Sequence, residues 1–125
     1  FYQTNGYGLP SSLLNKRVKF DVIYSINVFQ HMSNRQRLSY YYSVFEKLKT
    51  GGNFIFSLFI KNDNNKDKKF WNHKDVNENC YCRFFNQFTP IDDKTVLFNI
   101  LFEIGFKNIN IIGFYQNYYV LKLTK

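Results

Sequence analysis

Two short apolar runs, residues 20–26 (FDVIYSI) and 53–59 (NFIFSLF), enclose an amphipathic stretch with only short joints between them. Such β-branched and aromatic runs are typical of buried parallel strands. A strand, a helix and a second strand in this order predict a βαβ unit with a right-handed crossover. The functional crevice of such a sheet lies beyond the carboxyl ends of its strands. We therefore expect residues 25–31 at a site and residues 50–52 at the opposite rim.

The stretch between the two runs predicts a helix from Ser33 to Lys49. Ser33 with Gln36 three residues later is a capping-box pair. Gly51 offers the left-handed residue with which many helices end. One stripe of this helix would carry the apolar side chains of Leu38, Tyr41, Val44, Phe45 and Leu48. Asp21, near the start of the first strand, is predicted to be structural.

In this order and spacing, the segments resemble the fourth-strand to fifth-strand part of the class I S-adenosylmethionine-dependent methyltransferases. The shared features are an aromatic-Asp-hydrophobic strand (FDVIYS), a Gln-His pair just past it, a helix, and a Leu-Lys-x-Gly-Gly turn into the next strand. The resemblance implies an α/β, Rossmann-like methyltransferase fold with a mostly parallel sheet and a C-terminal antiparallel strand. It also implies S-adenosyl-L-methionine as cofactor and a small-molecule methyl acceptor.

The resemblance assigns the segment after the first run to the methionine and sulfonium end of that cofactor. Ser25, Ile26 and Asn27 would contact it, largely through the backbone. His31 lies just beyond. Histidine ordinarily titrates near neutrality, which suits a general base for a hydroxyl or amine acceptor. The alternative is a histidine that only holds the loop by hydrogen bonds, and in either case we expect His31 near the cofactor.

An earlier turn, Asn5-Gly6-Tyr7, is followed by Leu9-Pro10 and resembles the end of another strand of the same family. By that resemblance the Asn5 side chain would contact the adenine amino group. A backbone amide at Gly6 or Tyr7 would contact a ring nitrogen. Asp is more usual at this position, but an amide oxygen can also accept from an amine. Without the family context, Asn5-Gly6 is a plain turn.

No run of the G-x-G-x-x-G type precedes residue 20, and no acidic ribose ligand follows one. In the family, these features lie on the first two strands. We therefore expect residues 1–125 to be the C-terminal portion of a single methyltransferase domain, incomplete at its N-terminus and inactive alone. The strand at residues 20–26 would then expose an edge.

The C-terminal third predicts a helix followed by two strands. Thr89 is the expected cap, Pro90 the first helical residue, and Gly105 the end. Its buried stripe would contain Val96, Leu97, Ile100, Leu101 and Ile104. Residues 106–114 and 118–123 predict an antiparallel pair, because only a short polar turn links them.

Residues 60–88 are first polar and then aromatic-rich, and predict an insertion or lid beside the acceptor. Cys80 and Cys82 form a lone Cys-x-Cys without the further ligands that a zinc site needs. We interpret them as free thiols of a cytoplasmic protein, and we expect no metal. No apolar run approaches the roughly 20 residues of a membrane span.

The 17 Lys and Arg residues against nine Asp and Glu give a net charge of +8, which raises the alternative of a nucleic-acid-binding module or an RNA methyltransferase. The basic residues are scattered, however, which argues against a nucleic-acid partner. Residues 25–29 also lack the Pro-Pro of DNA amino-methyltransferases. A nicotinamide dehydrogenase is another alternative, but neither Tyr41 nor Tyr42 has a lysine four residues later.

Overall fold

The computed structural model describes residues 3–61, 76–77, 80–81, 91–115 and 118–125. The helices among them are α1 (Ser11–Leu14), α2 (Asn34–Lys47) and α3 (Lys94–Ile104), with a 3-10 turn at Phe29–His31. The strands are β1 (Phe20–Ser25), β2 (Leu48–Lys61), β3 (Val76–Asn77), β4 (Cys80–Tyr81), β5 (Ile91–Asp93), β6 (Lys107–Tyr115) and β7 (Tyr118–Thr124).

The main sheet has the strand order β1-β2-β7-β6. β1 runs parallel to β2, with Tyr24 opposite Ile55, and β5 runs parallel to the carboxyl end of β2. β7 is antiparallel to both β2 and β6, so β6 is parallel to β2. The predicted fold, a mostly parallel sheet with an antiparallel last strand, is confirmed. β3 and β4 form a separate antiparallel pair.

One face of the sheet carries the core because alternate residues of β2 point to it. The side chains of Phe54, Phe56, Leu58 and Ile60 are buried there. They join one apolar cluster with Tyr41 and Val44 of α2 and with Leu97 and Leu101 of α3. Both long helices therefore pack on the same face of the sheet.

α2 begins as predicted and ends earlier. Ser33 Oγ accepts from the Gln36 N–H at 3.3 Å, and Gln36 Oε1 accepts from the Ser33 N–H at 3.0 Å, so the capping box is confirmed. The helix ends at Lys47 and β2 begins at once. The prediction that Gly51 ends the helix is wrong. Gly51 is left-handed (φ +78°) but lies in β2, where the pairing with β1 slips between Phe20 and Val22.

The buried face of α2 is wider than the predicted stripe and is turned away from Leu38, which is 40% exposed. Tyr40 is buried in its place. The reason is the N-terminal loop (residues 3–10), which packs along this helix. The Tyr40 hydroxyl donates to Thr4 Oγ1 at 3.2 Å, and the Leu9 N–H donates to Ser43 Oγ at 3.0 Å.

α3 begins later than predicted. The N-cap is Asp93, whose Oδ1 accepts from the N–H groups of Thr95 at 2.9 Å and Val96 at 3.1 Å. The preceding residues extend along β2 as β5 and so cannot be helical. Val96 is 58% exposed, so the prediction that it belongs to the buried stripe is wrong. Gly105 ends the helix with φ +113°, as predicted.

β1 is less buried than predicted. Tyr24 is 75% exposed and Val22 51%. Ile23 packs against the core, so these two neighbours point to the other face, which α2 and α3 do not cover. β1 also lies at an edge of the sheet formed by the described strands, as expected.

Several predictions fall outside the described residues. These are most of the insertion at residues 60–88, the thiols of Cys80 and Cys82, the cap at Thr89 and Pro90, and the turn at residues 116–117. Within the described ranges, no helix has the length and apolar character needed to cross a membrane.

Candidate active site

The β1–α2 loop (residues 26–33) is fixed to the sheet by one aromatic side chain. Phe29 is buried and stacks on Tyr41 of α2, with ring centroids 5.5 Å apart and planes 13° apart. It also contacts the ring of Phe56 in β2 at 5.3 Å. Burying a phenylalanine stabilises a structure by about 1.5–3 kcal/mol. This contact therefore holds the loop at the carboxyl end of β1, where the crevice was predicted.

A second anchor holds the start of this loop. The Asn27 N–H donates to Ser57 Oγ at 2.8 Å. Asn27 has a left-handed backbone (φ +59°), which Asn adopts more readily than most residues. Ser57 is 1% exposed and lies in β2. It was not predicted as a site residue, although one hydroxyl within the apolar run FIFSLFI is a signal that could have found it.

The predicted contact residues of this loop lie together at the sheet edge. Ser25 ends β1 and is partly buried, and its ladder partner is Phe56. Ile26 and Asn27 follow as exposed residues. The two anchors thus leave the outer side of this short segment open. A ligand of suitable shape could contact both its backbone and the Ile26 side chain.

His31 ends the 3-10 turn, and its imidazole is exposed. The turn is closed by the His31 N–H, which donates to the Val28 carbonyl at 3.0 Å. The ring Nε2 lies 3.4 Å from the side-chain Nε2 of Gln30, which is buried. His31 therefore combines a fixed backbone with an accessible ring, the combination that a proton acceptor needs.

The Asn5-Gly6-Tyr7 segment forms the tight turn that its sequence indicates. Asn5 Oδ1 accepts from the Tyr7 N–H at 3.0 Å, and Thr4 Oγ1 accepts from the Gly6 N–H at 3.2 Å. Gly6 has φ +86°. Asn5 and Tyr7 line an open cavity of about 350 Å³ with Gln3, Thr4, Leu9, Pro10, Ser11, Ser12 and Leu14. The turn is thus both a local structure and a wall of a cavity.

The N-terminal loop and the β1–α2 loop both meet the first turn of α2. A Cβ atom added at Gly6 would lie 3.4 Å from Gln36 Nε2. Gln36 is paired in the capping box with Ser33, two residues beyond His31. The structure therefore brings the two predicted groups of site residues to the same end of one helix.

Among the described residues, the side chains whose pKa values are shifted lie at the opposite rim. Lys49 Nζ donates to both carboxylate oxygens of Asp21, at 2.8 and 2.9 Å, and lowers the pKa of Asp21. Burial, and then the charge of Lys19, lower the pKa of Lys125. Asp21 thus pairs with a lysine side chain at the rim away from the β1–α2 loop, and its structural role stays a prediction.

No family model and no curated protein matches this sequence. Solved structures do match its shape. An O-methyltransferase family protein from Burkholderia thailandensis has a TM-score of 0.69 at 10% identity, over 100% of this chain. Human N-acetylserotonin methyltransferase in complex with SAM has a TM-score of 0.60 at 10% identity, over 84% of this chain.

The chain has the fold of the class I S-adenosylmethionine-dependent methyltransferases. A third structure with this methyltransferase fold is the 1,6-didemethyltoxoflavin-N1-methyltransferase of B. thailandensis with bound 1,6-didemethyltoxoflavin and S-adenosylhomocysteine (TM-score 0.62, 16% identity, 93% of this chain). The chain spans 35%, 29% and 48% of these three proteins. It thus corresponds to less than half of each of these three methyltransferases.

Proposed function

We propose that this chain is part of an S-adenosylmethionine-dependent methyltransferase that acts on a hydroxyl or amine group of a small molecule. The observation that carries the proposal is the anchored but exposed β1–α2 loop at the carboxyl end of a methyltransferase sheet. The named substrates of the similar structures, N-acetylserotonin and 1,6-didemethyltoxoflavin, are small molecules and support the same acceptor class.

The residues present suit the two ends of the cofactor. Asn5 borders an open cavity of about 350 Å³, and its side-chain oxygen, which accepts from the Tyr7 N–H, keeps a second lone pair for the adenine amino group. The amides of Gly6 and Tyr7 donate within the turn, so one of them must exchange its acceptor to reach a ring nitrogen.

The methionine end would lie against Ser25, Ile26 and Asn27. The Asn27 N–H is already committed to Ser57, so the contacts available there are the exposed side of the backbone and the Ile26 side chain. When bound, S-adenosylmethionine supplies an electrophilic methyl group. Fixed orientation of the reacting atoms provides most of the acceleration in such a transfer.

His31 would act as the general base. A neutral hydroxyl or amine acceptor must lose a proton as it gains a methyl group. The exposure of the imidazole and its position just past the proposed methionine-end residues support this role. A positioned general base contributes roughly 10²- to 10⁴-fold to a rate.

The net charge of +8 gives only weak support to a nucleic-acid partner, because several lysines are engaged in contacts within the chain. Lys19 Nζ donates to the Glu46 carbonyl at 2.6 Å, and Lys125 Nζ donates to the Phe45 carbonyl at 2.6 Å. Lys47 is buried and donates to the Lys16 carbonyl, while Lys49 pairs with Asp21. These lysines bind the C-terminal end of α2 and the adjacent rim of the sheet, which is the rim opposite the β1–α2 loop.

The test is methyl transfer by the intact protein from methyl-labelled S-adenosylmethionine to a panel of small phenols, alcohols and amines, with RNA as a separate acceptor. We expect label in a small molecule. Transfer to RNA alone would replace the proposed acceptor class, and no transfer to any acceptor would contradict the enzyme assignment.

The role of His31 is tested in the same assay. We expect His31→Ala to lower turnover by about 10²- to 10⁴-fold while changing cofactor affinity little. Leu38→Ala, a change at a position of α2 whose side chain is 40% exposed, serves as the control. Unchanged turnover in the His31 variant would leave this side chain with only the loop-holding role.

A further inference from the structure

Gln30 is a buried amide next to the histidine of the candidate site. Its side chain is 1% exposed, although Gln is ordinarily a surface residue. Its Nε2 faces the His31 ring at 3.4 Å. Its Oε1 is buried and has no hydrogen-bond partner among the residues that the structure describes. A buried glutamine with an unpaired oxygen requires an explanation, because such groups are rare and unfavourable in folded proteins.

Packing alone does not supply that explanation. The neighbouring Phe29 already anchors the turn through its contacts with Tyr41 and Phe56. Methionine, with a similar length and no polar terminus, would fill the space of Gln30 without burying an unpaired carbonyl. What the carboxamide adds to the site is the contact with His31.

With the carboxamide nitrogen facing the ring, the chemistry of the contact selects one protonation state of the imidazole. A carboxamide nitrogen carries two donors and no acceptor. The ring nitrogen facing it must therefore present a lone pair for the contact to be attractive. This condition holds for the neutral ring protonated on Nδ1, and it fails for the Nε2–H tautomer and for the doubly protonated ring.

We propose that Gln30 is a positioning residue that holds His31 as the neutral Nδ1–H tautomer and so keeps Nε2 available as the proton-accepting atom. The contact at 3.4 Å is at the long end of the hydrogen-bond range, so an acceptor hydroxyl or amine can displace it. The proton then passes from the acceptor to Nε2, and the ring becomes an imidazolium. The proton transfer to Nε2 rests on the proposed base role of His31, whereas the assignment of the Nδ1–H tautomer does not.

The tautomer can be read directly from the intact protein labelled with nitrogen-15 in histidine. Long-range proton–nitrogen correlation spectra, recorded at a pH where the imidazole is neutral, distinguish Nδ1–H from Nε2–H. His31→Asn assigns the signals by removing them. We expect the Nδ1–H pattern in the unaltered protein. A pattern of Nε2–H would overturn the proposal.

Gln30→Met removes the donor and keeps the length of the side chain. We expect the His31 signals to change to the Nε2–H pattern, which free histidine favours. Gln30→Asn keeps a carboxamide but draws it away from the ring, and should change the pattern in the same direction. If either variant is folded, as shown by an otherwise unchanged amide spectrum, and retains the Nδ1–H pattern, the proposal is wrong.

Activity provides the second readout. We expect Gln30→Met to lower kcat by about 10- to 100-fold, as when a residue that orients a metal-ligating histidine is removed, with little change in the KM for the cofactor. If the tautomer changes in Gln30→Met but kcat stays the same, the proposed base role of His31 fails while the assignment of its tautomer stands.

Discussion

The buried hydroxyl of Ser57 lies 2.8 Å from the backbone nitrogen of Asn27 and accepts its hydrogen bond. This bond ties the first left-handed residue after β1 to the middle of β2. It holds in place the segment that we propose for the methionine end of the cofactor. Burying a serine in an apolar strand is unfavourable unless its hydroxyl is paired, and here the partner is the loop itself.

The first prediction is that Ser57→Ala loosens the β1–α2 loop and weakens cofactor binding. The Asn27 N–H loses its partner, so hydrogen exchange at residues 26–31 should become faster. Ser43→Ala is the matched control, because Ser43 is also buried and accepts from a backbone N–H, that of Leu9. It should instead speed exchange in the N-terminal loop. Equal effects of the two changes on both loops would contradict this assignment.

The second prediction concerns the capping box of α2. Ser33→Ala should lower the free energy of unfolding by about 1 kcal/mol, because it removes the acceptor of the Gln36 N–H. Chemical denaturation measures the change. The control is Tyr42→Ala, at an exposed position of the same helix. Asn34→Ala would not serve, because the Asn34 side chain accepts a hydrogen bond from Arg37. A Ser33 variant as stable as the parent would show that the box is not needed.

The third prediction is a pH dependence from Asp21. Lys49 lowers the pKa of Asp21 in the folded chain below its ordinary value of 3.8. The ion pair therefore adds stability above that value, and the addition is lost as the pH falls through the lowered folded pKa. We expect Asp21→Asn to be slightly less stable than the parent at neutral pH and equally stable in strong acid. Both side chains are exposed, so high salt should also remove the difference.

The fourth prediction compares two glycines. Gly51 and Gly105 both have positive φ, so alanine at either costs about 1–2 kcal/mol of backbone strain. Around Gly51 there is open space, whereas a Cβ at Gly105 would lie 2.8 Å from Cζ of Phe45. We expect Gly105→Ala to reduce the free energy of unfolding by more than Gly51→Ala does. The reverse order would mean that α2 and α3 do not pack as described.

The βαβ unit could be predicted because its signals are local. The capping pair Ser33 and Gln36 and the helix-ending Gly105 each satisfy neighbouring backbone groups, so the sequence alone reveals them. The parallel pairing of β1 with β2 follows from the same local order of strand, helix and strand, whereas the register that places Tyr24 opposite Ile55 comes from the structure.

The predictions fail where contact with a segment distant in the sequence determines which side chains are buried or where a helix begins. Leu38 is exposed because the N-terminal loop packs along α2 and buries Tyr40 instead. Ile91–Asp93 pairs with β2, which delays the start of α3 and leaves Val96 outside the core. No local pattern shows either contact.

The candidate site was predicted through the family resemblance more than through its own chemistry, and the roles of its residues stay predictions. Asn27 and His31 could be named from their order after β1. The anchoring role of Ser57 and the contact between Gln30 and His31 depend on distances that only the structure provides.

The most direct test of the account is hydrogen exchange of the intact protein with and without saturating S-adenosylhomocysteine. We predict slower exchange at residues 25–31 and at Asn5-Gly6-Tyr7, and no change at residues 49–52 on the opposite rim. ATP, which shares the adenosine but lacks the methionine part, is the control and should not protect residues 25–31. Protection confined to other segments, or none at all, would contradict the claim that the β1–α2 loop receives the cofactor.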